Sequence, residues 1–266
     1  MRYKSFNSKP DIGASPRGKV LLPRMSGDTR KSLSRFGLAT LSLSLFTLTA
    51  SAESWSYGVL TDTQGAAAYP DVSTRLMAPV IDQFVNAHQV DMIISVGDLT
   101  DTGTIEENAL WLDVAQPVYD AGIPMYIQRG NHDIKTESTS LVSDPLFGSV
   151  EINDSTIWDA QFPLPTNPSL VEGPGTCYYF TFNNMFVVSM DLYGVAPSEL
   201  IGWLQNVALP AAATSGTEHR VLVQHAPYFG KGRDGIFQGE SGDPAFELSL
   251  LEGMAQAGID TILVGH

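Results

Sequence analysis

Five short apolar runs in this chain each lead into residues with metal-binding side chains. Trp55 to Leu60 runs into Asp62, Met92 to Val96 into Gly97-Asp98, Pro124 to Gln128 into Gly130-Asn131-His132, Val221 to Gln224 into His225, and Thr261 to Val264 into Gly265-His266. Segments of helical period separate the first three. In Asp71 to His88, Val72, Leu76, Val80 and Phe84 recur at four-residue spacing, with Met77, Ile81 and Val85 widening the stripe. Glu106 to Tyr119 predicts a second helix, with a kink expected near Pro117. Strand, helix, strand, helix, strand predicts an α/β fold with parallel strands. Open sheets of that kind place their ligand sites beyond the carboxyl ends of the strands, and every cluster falls there.

The middle of the chain reads differently. Lys135 to Gly175 is polar and rich in Pro, Ser and Thr, and is expected to be a long loop that walls the site. Cys177 to Phe182 and Met185 to Met190 predict two strands around an Asn183-Asn184 turn. Pro197 to Val207 predicts a helix with Leu200, Trp203 and Leu204 on one face. Phe229 to Pro244 is Gly-rich and reads as a second loop over the site, followed by a helix from Ala245 to Ala257.

Residues 1–52 read as an N-terminal extension and signal peptide, and 53–266 as the folded domain. Arg30, Lys31 and Arg35 precede an apolar run, Phe36 to Ala50, that is too short and too rich in Ser and Thr to span a membrane. Ala50-Ser51-Ala52 follows as a cleavage signal, so the signal peptide covers about 25–52 and the mature chain starts near Glu53. The alternative is an anchor that is never cleaved. An exported protein, periplasmic or secreted, is expected, with no membrane span after cleavage. Residues 53–266 hold six Lys/Arg against 27 Asp/Glu, a net charge of −21. Such a surface repels anionic membranes and nucleic acid, so no nucleic-acid binding is expected. It also repels a phosphate ester, unless bound cations reverse the local field. The lone cysteine, Cys177, excludes an intrachain disulfide and reads as a small buried hydrophobe.

Asp62-Thr63-Gln64, Gly97-Asp98-Leu99-Thr100-Asp101, Gly130-Asn131-His132-Asp133, His225 and Gly265-His266, in that order, resemble the calcineurin-like metallophosphoesterases, the superfamily that includes the purple acid phosphatases. The resemblance covers residues 55–266. It implies a layered α/β/β/α sandwich. It also implies hydrolysis of a small phosphoester by a water or hydroxide activated between two metal ions, without a covalent phosphoenzyme. One metal is then held by Asp62, Gln64, Asp98 and the second His of a Gly-His-x-His motif. The other is held by Asp98, Asn131, His225 and His266, with Asp98 bridging both. His132 contacts the phosphoryl group or protonates the leaving group, and Asp101 orients it and raises its pKa. The ions are divalent or trivalent, drawn from Fe, Mn, Zn and Mg. The oxygen-rich first site leans away from an all-imidazole zinc site.

Two departures bear on activity. Gln64 stands where many members have His, and the second His of Gly-His-x-His is missing because His266 is the last residue. The chain is therefore expected to bind one metal better than the other, and to be a fragment without the last strands of its second sheet. A phosphodiesterase or nucleotidase of the same fold is one alternative, and a degenerate, non-catalytic metal-binding protein is another. Arg129 carries two readings, a substrate contact and a structural salt bridge. His88, His219, Trp111 and Trp203 read as structural, and Tyr228 as packing or as cleft lining. The sequence sets no oligomeric state.

Overall fold

The structure, a computed structural model, describes residues 54–65, 73–227 and 244–266. These lie within one compact unit, Ala52–His266. The signal-peptide reading, Val72, Tyr228 and residues 229–243 of the expected second loop fall outside the described residues.

Strands β1 (Tyr57–Leu60), β2 (Met92–Ser95) and β3 (Met125–Ile127) form a parallel sheet in the order β1-β2-β3. Gly58 pairs with Ile93, and Ile94 with Tyr126. Strands β4 (Thr139–Asp144) and β5 (Gly148–Asn153) pair as an antiparallel hairpin. The second sheet contains β6 (Val171–Glu172), β7 (Tyr178–Phe182), β8 (Met185–Met190), β9 (His219–Gln224) and β10 (Thr261–Leu263), in the order β10-β9-β8-β7-β6. Its β8, β9 and β10 are parallel, and β6, β7 and β8 are antiparallel.

Period-two alternation assigns each sheet two buried faces. Met92, Ile94, Val96 and Tyr126 point between the sheets, against Tyr178, Phe180, Val187, Val221 and Val223. Tyr126 stacks on Phe180 there with ring centroids 3.7 Å apart. Ile93, Met125 and Ile127 point outward, onto Met77 and Ile81 of the first helical segment and onto Trp111, Ala115 and Val118. That segment is α1 (Ala78–Asp82) between two π-helical turns, Ser73–Met77 and Gln83–His88. Trp111, Ala115 and Val118 belong to α2 (Ile105–Asp120). Helix α3 (Thr156–Gln161) adds Trp158 to the same core. On the other side, Phe186, Val188, Met190 and Leu222 meet α4 (Pro197–Trp203), α5 (Leu209–Thr214) and α6 (Pro244–Gln256) through Leu200, Ile201, Leu209, Leu250 and Met254. Helix, sheet, sheet, helix is the α/β/β/α layering. Each large apolar side chain fully buried in these layers contributes about 1.5–3 kcal/mol. Among the described residues no helix is long and apolar enough to cross a membrane.

Several elements differ from the sequence expectation. Leu76 and Val80 are exposed, and Met77, Ile81, Phe84 and Val85 make the packed face. A four-residue repeat drifts around a helix of 3.6 residues per turn, so a stripe drawn on it leaves the contact face. Lys135–Gly175 is not a plain loop, because it holds β4, β5, α3 and β6. Its hairpin is mostly exposed, so it lacks the apolar alternation that marks a strand packed on a core. The helix expected to end at Val207 continues through a π-helical turn, Leu204–Ala208, and α5 to Thr214. Helix α2 runs unbroken past Pro117 to Asp120, with the proline on its exposed side.

Candidate metal centre

All five candidate clusters gather at the carboxyl ends of β1, β2, β3, β9 and β10. Backbone bonds tie these ends together. Asp62 N donates to Gly97 O (3.1 Å), Gln64 N to Asp98 O (2.9 Å) and Gly265 N to His225 O (2.9 Å). Asp62 and Asp98 both take left-handed backbone, with φ of 51° and 52°. Aspartate tolerates that region better than most residues. Two glycines let the loops close on each other. A Cβ on Gly97 (φ 95°) would lie 2.8 Å from both Gly130 N and His225 Nδ1, and one on Gly130 would lie 2.2 Å from Asp98 Oδ1.

Asp98 and His225 are buried at the centre. Asp98 Oδ1 accepts the His132 backbone N–H at 2.9 Å. His225 Nδ1 lies 2.9 Å from the Val96 carbonyl oxygen, which fixes the ring proton on Nδ1. Nε2 therefore carries a lone pair, 3.1 Å from Asp98 Oδ2. The approach is close but off line for a hydrogen bond, and Nε2 has no hydrogen-bond partner. Two electron-rich atoms facing each other in a buried site need a proton or a cation between them. The titration of the pair says the same. Burial pushes the Asp98 carboxyl up, but the His225 side chain and the His132 N–H outweigh it and hold it below the usual range. Burial pushes His225 down, and Asp98 outweighs that and raises it. Both shifts favour a positive charge between the two side chains, the place a cation would take.

His266 completes the cluster. Asp98, His225 and His266 each offer a ligand atom, all within 4.8 Å of one another. The His266 Nδ1 lies 2.9 Å from Asn131 Oδ1, and its ring stands edge-on to His225. Its backbone N–H donates to both carboxylate oxygens of Asp62, at 3.0 and 3.1 Å. Thr61 Oγ1 also donates to Asp62 Oδ2. The Gln64 amide has two orientations. In one, Nε2 donates to Asp98 Oδ2 at 3.3 Å. In the other, the nitrogen donates to the carbonyls of Asp98 (2.9 Å) and Asp62 (3.2 Å), which satisfies it better and turns the oxygen toward Asp98 Oδ2. That second orientation is the one a cation would favour. Trp111, a core residue, donates from Nε1 to Thr63 Oγ1 at 2.9 Å and steadies this loop.

His132 Nδ1 sits 2.9 Å from Asp101 Oδ1 and 3.0 Å from its carbonyl oxygen. Two residues near the site, Asp133 and Lys135, carry no role in the sequence reading. Asp133 is buried and staples two loops together, accepting from Gly130 N (2.8 Å), Thr100 N (2.9 Å) and Thr100 Oγ1 (3.0 Å). Burial outweighs those bonds and pushes its carboxyl up to about 6. Lys135 reaches His132 Nδ1 and Asp101, with position in the turn after His132 as its only sequence signal. Of the two readings of Arg129, the structure selects the salt bridge. Its guanidinium is wholly buried, 2.9 Å from Glu137 and paired with Asp191. His88 is exposed at a helix end, and His219 lies 3.7 Å from Asp260 at the start of β9, the end of that strand away from His225. Cys177 is buried, and burial pushes its thiol far up.

A layered α/β/β/α domain with acidic, amide and imidazole groups gathered at its strand ends is suited to holding metal ions there. Residues 56–266 match the calcineurin-like phosphoesterases, and the chain belongs to that family. Among solved structures it is similar to the purple acid phosphatase PPD1 from yellow lupin (Lupinus luteus) seeds. That match has 13% identity and a TM-score of 0.55, over 79% of this chain and 37% of that one. It is also similar to PhoD, with 11% identity and a TM-score of 0.45 over 78% and 49% of the two chains. GAP50, the anchor in the inner membrane complex of Plasmodium, matches at 16% identity and a TM-score of 0.47 over 79% and 65%. The chain thus spans roughly a third to two thirds of these proteins' lengths. Comparison with the curated proteins finds no match.

Proposed function

We propose that this protein hydrolyses phosphoesters at a two-metal centre built on Asp98. The buried His225 Nε2, facing Asp98 Oδ2 with no hydrogen-bond partner, carries this reading. Asp98, Asn131, His225 and His266 would hold one ion, and Asp62, Gln64 and Asp98 the other. Bound there, two cations supply an activated water and neutralise the phosphoryl oxygens. His132 is the proton donor or phosphoryl contact, held by its bonds to Asp101. Asp133 and the Arg129–Glu137–Asp191 pairs keep the loop that carries Asn131 and His132 in place. The metal-loaded protein should turn over an aryl phosphate ester. His132→Ala should abolish that turnover while leaving metal binding intact, and full activity in that variant would refute the assignment.

One observation favours a second reading, a metal-binding protein without catalysis. The first half-site is the weaker one, because Gln64 is neutral and the Asp62 carboxylate is already engaged by Thr61 and His266. A folded protein that binds metal but cleaves neither a monoester nor a diester would establish it.

A further inference from the structure

We propose that this protein binds a small organic amine, an ammonium group on an aromatic body, in a cavity between the end of β3, α3 and the start of β7. The inference is independent of the phosphoesterase reading, since no residue of the cavity wall is a candidate metal ligand. The cavity measures about 440 Å³, a size usual for small-molecule sites. Its floor is apolar. Ile127, Trp158, Phe162, Cys177 and Tyr178 line it, and all five are buried. The rings of Trp158 and Phe162 stand with centroids 4.5 Å apart. Hydrogen bonds hold the walls in place. Tyr178 donates its hydroxyl to the Ile127 carbonyl oxygen at 3.2 Å, and Thr176 Oγ1 donates to Asp191 Oδ2 at 2.9 Å. Gly175, also in the wall, has φ 59°, and a Cβ there would lie 3.1 Å from Asp191 Oδ2.

The polar groups of the wall set the sign of the ligand. Asp159 and Glu172 line the cavity and are exposed, so they stand at its mouth. Among the described residues the lining holds no Lys, Arg or His. Arg129 lies behind the wall, where Glu137 and Asp191 together outweigh its charge. An ammonium suits both halves of such a place. Carboxylates attract it at the mouth, and aromatic faces attract it at the floor. A neutral ligand would cover the two carboxylates without pairing them, which costs free energy. A bare metal ion would find no donor atoms on the apolar floor.

The test uses the full chain at low ionic strength, where charge is least screened. Two probes of one shape are titrated, phenethylammonium and the neutral phenethyl alcohol. The indole N–H resonance of Trp158 reports the place, and calorimetry the affinity. Phenethylammonium should move that resonance to saturation and bind about tenfold tighter than the alcohol, the scale of one charge-assisted contact. Asp159→Asn combined with Glu172→Gln should lose about tenfold for the ammonium and nothing for the alcohol, whose binding shows the cavity intact. A Trp158 resonance that neither probe moves would overturn the proposal. So would equal affinity for the two probes, or an ammonium affinity unchanged in the double variant. Should the double variant bind neither probe, Glu172→Gln alone decides. A fall in its preference for the ammonium supports the proposal, and an unchanged preference refutes it.

Discussion

Asp98 meets three demands at one position. It sits in left-handed backbone, it accepts the His132 N–H on one oxygen, and it turns the other toward His225 and Gln64. Asp98→Asn keeps the shape and removes the charge, so metal affinity should fall at least about a hundredfold, beyond the loss typical of a ligand's outer partner. Titration calorimetry with Mn²⁺ would show it, and unchanged affinity would take Asp98 out of the centre. Gly130 is the complementary case. A methyl there would meet Asp98 Oδ1 at 2.2 Å, so Gly130→Ala should cost about 1–3 kcal/mol of overpacking and weaken metal binding with it. Urea unfolding checks the first effect, and a variant as stable as wild type would mean the loops do not meet as described. The candidate ligands were legible in the sequence because each closes an apolar run. Asp133 and Lys135 were not, because their roles depend on which loops meet across the sheet.

At the scale of elements, the Arg129 pairs link the end of β3 to the segment after it and to the end of β8. Glu137 is the sensitive member. Burial outweighs the attraction of Arg129 and pushes its carboxyl from 4.5 up to about 7. A carboxyl with a raised folded pKa binds more protons in the native state than in the unfolded one. Its contribution to stability is therefore present at low pH and lost as pH rises from about 4.5 to about 7. Glu137→Gln removes that titration, so the stability difference between variant and wild type should shift in the variant's favour across this window. Urea melts in chelator at a series of pH values measure it, and a difference constant with pH would contradict the shift. The sequence made the strands legible where both faces are buried, as in Met92–Ser95, whose four residues are all buried. The β4–β5 hairpin was not legible, because exposed strands carry no apolar alternation. The first helix was found with its face displaced, since Met77 and Ile81 rather than Leu76 and Val80 meet the sheet.

At the scale of the whole molecule, two sheets packed face to face bring strand ends from both halves of the chain to one place. Asp62, Asp98 and Asn131 come from the first sheet, and His225 and His266 from the second. With a net charge of −21 on residues 53–266, cations at that place would be a condition for admitting an anionic ester. If the chain is exported, as its N-terminal residues lead us to propose, the protein recovered outside the cytoplasm should begin at Glu53 on N-terminal sequencing. A start at Met1 or Met25 would contradict cleavage. Diffraction from crystals grown with Mn²⁺ would reveal a metal ion between Asp98 and His225. An anomalous peak is expected in contact with Asp98 Oδ2 and His225 Nε2, with a weaker one beside Asp62 and Gln64. A map with no peak touching Asp98 and His225, from a protein that holds Mn²⁺ elsewhere, would contradict it.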